Sequence, residues 1–371
     1  MDASDEEKHD TTPPVRTVRA FCRAYSWQWF LVPMATLGLS TLINAQTKMK
    51  NFHGLYTIGL IFYFIGLVQY VYLIIMQLTR FRLIKGSLEE SFDTPQEAMF
   101  FATFFISMYG TIDGAVEYSS PVPGSRLSVV LIVFFWIYLV CAMVASIGLH
   151  MLVFHIRHLE NSKMMPAWLL PIFPVILIGV LASSFAKAAH PRELFSIEIA
   201  GLICSSMGFL LSISIAAIYL DRLFVAGLPE VIHRPAMMVA VGPPSYAALA
   251  FLKLATGIPT TYWFFAKNPG SAGVVAIVGL IFAVGVWGMA CFFELVCLAA
   301  VLPHARDTKF SLSWYSLIFP NVGFLCTFNL IGRVIESEGI KYAASVATCV
   351  LCGFWIFTTL CHARALWMGR M

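Results

Sequence analysis

The chain reads Phe310-Ser-Leu-Ser-Trp-Tyr-Ser-Leu-Ile-Phe-Pro-Asn-Val-Gly-Phe324 near its C-terminal end, within a run from 310 to 332 that has no Asp, Glu, Lys or Arg. A run of this length can cross the hydrocarbon core of a bilayer as a helix. Pro320 lies in its middle, where proline lacks the N–H of a regular helix and clashes with the preceding turn. The stretch therefore predicts a membrane-spanning helix that is broken at Pro320.

Three other charge-free runs carry a proline in the same kind of position, and the four prolines are regularly spaced. From Pro33 through Pro174 and Pro243 to Pro320 the spacings are 141, 69 and 77 residues. The first is about twice the others, so a missing member would fall near Thr103. A period of about 70 residues indicates five copies of one helical hairpin. Because broken helices are tolerated where they face protein or a water-filled cavity, the pattern predicts an inner ring of five kinked helices around a central path. The alternative is that these prolines serve packing alone.

The composition agrees with an all-α integral membrane protein. Of 371 residues, 59% are hydrophobic and 12% are charged, and the mean hydropathy is +0.80. The charged share is about half that of a soluble domain, which excludes a soluble enzyme, a disordered chain and a small disulfide scaffold. Ten charge-free runs predict ten transmembrane helices: 24–47, 51–79, 98–112, 127–156, 164–186, 199–220, 235–252, 268–293, 310–332 and 342–363.

The ten predicted spans form one transmembrane domain, 24–363, between an N-terminal tail, 1–23, and a short C-terminal segment, 364–371. An even number of spans places both termini on one side. The segments on that side hold 15 Lys and Arg residues, whereas the opposite loops hold 8. Since basic residues concentrate in cytoplasmic loops, we expect both termini in the cytoplasm.

The chain is identified as a member of the tellurite-resistance/dicarboxylate transporter family, which includes the slow anion channels of plant guard cells. Within it, the sequence is similar to the fungal malic acid transport proteins. The resemblance covers nearly the whole chain and includes the stretch 310–324. In span one, Thr36-Leu-Gly-Leu39 departs from the Thr-Gly-Gly that subgroup members tend to have, which bears on substrate preference. The other matching stretches are Tyr25-Ser-Trp-Gln-Trp-Phe30, Asp93-Thr-Pro-Gln-Glu-Ala-Met-Phe-Phe101, Met165-Pro-Ala-Trp-Leu-Leu-Pro-Ile-Phe-Pro174 and Arg234-Pro-Ala-Met-Met-Val-Ala-Val-Gly-Pro-Pro244.

The resemblance implies five inner and five outer helices around a central path, a homotrimer with one path per subunit, and a plasma-membrane location. It implies transport of malate and related C4-dicarboxylates; the alternative is efflux or conduction of sulfite or another inorganic anion. It also implies that Phe319, directly before Pro320, plugs the path as a hydrophobic gate. The alternative for one Phe among 31 is core packing.

Polar side chains on the inner spans are candidates for contacts with a small organic anion. Freed N–H groups at breaks such as Pro174 and Pro243, together with the positive ends of half-helices, would add donors. The alternative for the hydroxyl groups is a bond to their own helix. The candidate side chains are Thr36, Ser107, Tyr246 and Asn321.

Two cations are candidates for an anion-attracting outer vestibule. Lys253 follows Tyr246 by seven residues and Arg333 follows Phe319 by fourteen, which places them about 20° and 40° away from those residues around their helices. The alternative is that they neutralise helix C-terminal dipoles or snorkel.

The predicted spans carry no cluster of metal ligands, no carboxylate pair and no nucleophile–base motif. We therefore expect no enzyme, no metal site, no cofactor and no nucleic-acid partner. The bilayer and the anion are the expected partners.

Overall fold

The computed structural model describes residues 22, 25–47, 54–155, 164–305 and 309–368. The predicted tail, 1–23, lies outside the described residues except for Cys22, and so do several of the basic residues used to predict the orientation. The boundaries of the tail and of the C-terminal segment stay predictions.

Ten long helices make up most of the described chain, and all of the regular structure in that part is helical. In chain order they are α1 Leu31–Thr47, α2 Gly54–Leu83, α3 Pro95–Ser119, α4 Arg126–His155, α5 Phe173–Ser184, α6 Pro191–Ala226, α7 Gly242–Gly257, α8 Ser271–Val301, α9 Phe319–Val334 and α10 Glu338–Trp367. Two short helices, Ser87–Asp93 and Trp263–Lys267, lie in connections. Helices α3 and α7 continue past Asp113 and Lys253, as the apolar sequence beyond those charges predicts.

The helices form a closed inner ring and an outer layer. Each odd-numbered helix contacts the next odd-numbered one, α1 to α3, α5, α7 and α9, and α9 contacts α1 again. Each even-numbered helix packs against the inner helix before it and the inner helix after it. The prediction of five hairpins with an inner ring is therefore confirmed.

Burial separates the two layers. In the apolar cores of the spans built around α3, α5, α7 and α9, between 61% and 94% of the residues are buried, compared with 22% to 39% in the even-numbered helices. Most side chains of α1 are also buried. Because the outer helices expose large apolar side chains over lengths of about 30 residues, their exposed faces are suited to lipid.

Within the described residues, nine helical segments are long and apolar enough to cross a membrane. Helix α1 has 17 residues and is preceded by a 3₁₀ turn, Trp27–Phe30. The protein is an integral membrane protein, and ten crossings stay the predicted number.

The prolines mark the places where the inner helices change type. A 3₁₀ segment precedes α1, α5, α7 and α9, and each α-helix begins one or two residues before its proline. Proline is accepted in a first helical turn because its missing N–H has no intrahelical partner there. Helix α3 differs: it is α-helical from Pro95 to Ser119, so the break expected near Thr103 is not present. The Thr103 hydroxyl instead donates to the carbonyl oxygens of Trp27 and Phe100.

Candidate functional site

Three aromatic side chains meet inside the ring where the α-helical halves begin. The Phe319 ring is stacked on Tyr246, with centroids 4.9 Å apart, and lies 5.7 Å from Phe173. Phe173 and Tyr246 are also in contact, at 5.5 Å. We call these three side chains the aromatic cluster. All three are at least 98% buried, so the cluster fills the space between α5, α7 and α9 at this level.

Each ring of the aromatic cluster lies on a glycine of the next inner helix. A Cβ added to Gly242 would approach the Phe173 ring to 2.2 Å, and one added to Gly323 would approach the Tyr246 ring to 2.5 Å. Gly38 on α1 accommodates Phe319 in the same way, with 2.8 Å to the nearest ring atom. The glycines therefore let neighbouring inner helices approach closely enough for the rings to reach across.

A cavity of about 40 Å³ lies near the C-terminal ends of the inner helices α1, α3, α7 and α9, and we call it the polar cavity. Lys253 on α7 and Arg333 on α9 both line it, so the structure brings the two predicted cations to one site. Lys253 is half-buried and Arg333 is exposed. The other lining residues are Thr41, Asn44, Ala45, Glu117, Leu249, Cys326, Asn329 and Leu330.

Acidic groups accompany the cations. Glu117 lines the polar cavity and accepts a hydrogen bond from the Asn44 amide at 3.2 Å. Asp113, one turn earlier on α3, is fully buried and accepts hydrogen bonds from Thr41 at 3.2 Å and Ser184 at 2.7 Å. These bonds tie α3 to α1 and α5. Two carboxyl groups and two cationic side chains therefore lie close to one another at this level of the ring.

Tyr246 is the predicted path residue that the structure places most clearly inside the ring. Its hydroxyl donates to the carbonyl oxygen of Phe319 at 3.2 Å, which joins α7 to α9. Ser107 is fully buried and donates to the carbonyl oxygens of Phe30 and Thr103, where α3 contacts the 3₁₀ turn that precedes α1.

Two other predicted path residues face the outer layer. The Thr36 hydroxyl accepts a hydrogen bond from the indole N–H of Trp355 on α10 at 3.1 Å and donates to its own helix. The Asn321 side chain donates to the carbonyl oxygen of Leu317 and lies beside Glu294 on α8. These polar groups hold inner helices to outer ones.

Three N–H groups at the proline junctions are paired within the backbone. The N–H groups of Phe173, Gly242 and Ile318 donate to 3₁₀ carbonyl oxygens three residues earlier. Pro174 and Pro243 are both buried, and the carbonyl oxygen of Pro174 accepts from the Tyr138 hydroxyl of α4 at 3.0 Å. A polar ligand at this level would meet ring faces and the positive ends of the α-helical halves.

The sequence interpretation overlooked Phe173 and the glycines beneath the rings. A signal for Phe173 was present, because Ile172-Phe-Pro174 repeats Ile318-Phe-Pro320. A tryptophan also lies six residues before Pro174 and six residues before Pro320. The glycines gave no comparable signal, since their role depends on side chains that approach from other helices.

Comparisons with known proteins agree with this architecture. The voltage-dependent anion channel family, SLAC1, matches residues 24–363. The malic acid transport protein of Schizosaccharomyces pombe is 29% identical over 348 residues, which are 92% of this chain and 78% of that protein. A second protein of that yeast, described provisionally as a malic acid transport protein, is 27% identical over 94% of this chain and 81% of its own length. The sulfite efflux pump of Arthroderma otae is 23% identical over 88% of this chain and 87% of its own length. Since the family match extends over residues 24–363, which is most of the chain, the chain belongs to the voltage-dependent anion channel family.

Proposed function

We propose that the protein carries malate and related C4-dicarboxylates across the membrane through the centre of the five-helix ring. The observation that carries this proposal is the pair of cations, Lys253 and Arg333, which come from neighbouring inner helices and line one cavity. A dicarboxylate presents two anionic groups, and each cation attracts a divalent ion about twice as strongly as a monovalent one. The similarity to the malic acid transport protein supports the choice of substrate.

In this proposal the aromatic cluster closes the path and Phe319 is its moving part. A dry constriction of aromatic side chains excludes ions because they cannot shed their hydration shell there. Rotation of Phe319 away from Gly38 would open the space between α9 and α1. Tyr246 stays in place because it is held by the contact of its ring with Gly323.

Transport assays with purified protein in liposomes test the proposal. We expect uptake of labelled malate that excess unlabelled malate and succinate suppress, measured with and without a pH gradient. A Lys253→Gln, Arg333→Gln double variant should lose most of this uptake, whereas Lys267→Gln, outside the ring, should retain it. Uptake unaffected by the double substitution would contradict the proposed path.

The second candidate is efflux or conduction of sulfite or another inorganic anion. It is favoured by the similarity to the sulfite efflux pump, which extends over most of both chains. The same liposomes distinguish the two substrates, since sulfite-dependent flux without malate uptake would select the inorganic anion.

The assembly and location belong to the proposal as well. We propose a homotrimer in the plasma membrane with both termini in the cytoplasm. Native mass spectrometry of the detergent-solubilised protein tests the trimer, and a monomeric species under mild conditions would contradict it.

A further inference from the structure

A large apolar cavity lies on the outer side of the ring, between α6, α7 and α8. Its volume is about 350 Å³, within the size range of small-molecule sites. Helix α6 contributes Phe195 and Leu202 to its wall, α7 contributes Phe251, and α8 contributes Val278 and Phe282. We call it the lipid-side cavity, because Leu202, Val278 and Phe282 also reach the exposed outer surface, where their exposed fractions are 42%, 59% and 47%.

Two aromatic contacts shape this cavity. Phe251 and Phe282 meet edge to face at 5.1 Å between α7 and α8. Near the C-terminal end of α7, Phe195 and Tyr262 are stacked with centroids 3.7 Å apart. The Phe195–Tyr262 pair covers the cavity on the side of the connection after α7, so its open side is the apolar surface of the outer layer.

A single carboxyl group points into this apolar space. Among the described residues that line the lipid-side cavity, Glu198 is the only charged one, and it is 92% buried. Its Oε1 atom is buried and has no hydrogen-bond partner. A buried carboxyl oxygen without a partner is costly, because it has lost its water and gained no donor in return.

Glu198 lies beside a helix end without a basic residue. A Cβ on Gly257 would lie 3.9 Å from Oε1, so the carboxyl group sits beside the last turn of α7. The C-terminal end of a helix carries partial negative charge from its free carbonyl groups, and the last turn of α7 contains no basic residue. A carboxyl group and the negative end of a helix dipole therefore meet at one end of an otherwise apolar cavity.

We propose that the lipid-side cavity binds a membrane-dissolved amphiphile with a protonated amine head and an apolar body. The ammonium group would donate to Glu198 Oε1 and face the carbonyl end of α7, and the apolar body would lie among the side chains of α6 and α8. A protonated amine suits this arrangement better than an alcohol or an acid, because it supplies both a hydrogen-bond donor for Oε1 and a positive charge beside the helix end.

Photolabelling in phosphatidylcholine vesicles tests the site with three probes: a diazirine analogue of dodecylamine, the matching alcohol and the matching carboxylic acid. We expect the amine to label peptides around 195–202 and 275–282, and unlabelled dodecylamine to compete. Glu198→Gln should lower this labelling about tenfold, the size of one charge-assisted hydrogen bond.

The control is Glu294→Gln on α8, since Glu294 is 91% buried and also has a carboxyl oxygen without a partner, but it does not line the cavity. It should leave labelling unchanged. Leu202→Trp, which keeps the charge and fills the space, should abolish labelling even if Glu198→Gln folds poorly.

Three results would overturn the proposal. They are labelling by the alcohol or acid as strong as by the amine, equal loss in Glu198→Gln and Glu294→Gln, and absence of labelled α6 and α8 peptides in the unaltered protein. The last is also the result expected if a second subunit covered the cavity.

Discussion

At the scale of single residues, the centre of the ring depends on how Phe319 is held. Its ring lies against Tyr246, Phe173 and the backbone of Gly38, and the carbonyl oxygen of Phe319 accepts from the Tyr246 hydroxyl. The Phe319 side chain thus packs against two aromatic rings and projects from the first turn of α9. Removing the Phe319 ring would therefore leave an opening between α9 and α1.

We expect Phe319→Ala to raise the basal flux of malate or chloride in liposomes, because it removes the ring that seals the proposed path. Removing a buried Phe costs about 3–5 kcal/mol of stability, so folding is checked by size exclusion. Phe135→Ala is the control, because Phe135 is fully buried on α4, outside the aromatic cluster. If the Phe319→Ala protein is folded and its basal flux is unchanged, Phe319 serves core packing and does not close the path.

The contact between Phe319 and Gly38 predicts coupling between the two positions. Gly38→Ala would force the Phe319 ring to shift, since the new methyl group would be 2.8 Å from it. We therefore expect Gly38→Ala to raise basal flux by itself but to add nothing in the Phe319→Ala background, where the ring is absent. Additive effects in a double-mutant cycle of flux measurements would show that Gly38 acts by another route.

Arg333 is expected to act through its charge. In liposomes, Arg333→Gln should raise the apparent Km for malate about two- to fivefold at neutral pH, since an exposed charge contributes about 1 kcal/mol at contact distance. The effect should shrink at low pH, where malate itself carries less negative charge, and at high salt. Arg333→Lys should be milder, although it loses the guanidinium fork that suits a carboxylate.

The control for Arg333 is Lys341→Gln on α10, whose ammonium group is paired with Glu338 at 2.8 Å and does not line the polar cavity. It should leave the Km unchanged. Equal losses for Arg333→Gln at both pH values, or a loss of the folded assembly, would instead identify Arg333 as a structural cation.

At the scale of the helices, glycines set the distance between members of the ring. Tyr246 reaches from α7 onto Gly323 of α9, and Leu37 reaches from α1 onto Gly110 of α3. With the Phe173 and Phe319 contacts, each of α1, α5, α7 and α9 places a large side chain on a glycine of the next inner helix. Such close approach transmits a displacement of one helix directly to its neighbour, because a packed interior has little free volume.

The contact between Tyr246 and Gly323 predicts a large cost for a single methyl group. Gly323→Ala would place Cβ between 2.5 and 2.9 Å from three atoms of a ring that is already stacked on Phe319. We expect a loss of about 1–3 kcal/mol from overpacking, seen as a lower unfolding temperature in detergent. Gly288→Ala on α8 is the matched control: it has open space, and alanine favours a helix, so it should be neutral or slightly stabilising. A Gly323→Ala protein as stable as Gly288→Ala would contradict this packing.

At the scale of the whole molecule, ring closure connects the two ends of the chain. Helix α9 contacts α1, and α10 also packs on α1, where Trp355 donates to Thr36. The polar cavity draws its lining from α1, α3, α7 and α9, so it exists only once the ring has closed. Folding of the C-terminal hairpin is therefore required to complete the proposed site.

The predicted orientation is testable on cells. With both termini in the cytoplasm, a tag at the C-terminus should bind antibody only after permeabilisation. A tag inserted at Gly270, in the exposed turn between α7 and α8, should be accessible on intact cells. The reverse pattern would show that the 15-to-8 distribution of basic residues misidentifies the cytoplasmic side.

The sequence by itself determined the fold class, the hairpin repeat and the identity of the inner helices. These follow from the length of the charge-free runs, the spacing of the prolines and the composition. Such properties indicate whether a segment faces lipid or protein, and they can be assessed without knowing which helices are its neighbours. It also predicted that Lys253 and Arg333 lie on the ring side of their helices, because helical phase is local.

Only the tertiary structure decided which side chains meet. The continuous α3, the glycine beneath each aromatic ring, the outward direction of Thr36 and Asn321, and the place of Glu198 in the lipid-side cavity each depend on residues from another helix. Trp355 is 319 residues from its partner Thr36, and Tyr246 is 73 residues from the Phe319 carbonyl group that it binds. Contacts over such separations arise from how the helices pack, and no local pattern of residues records them.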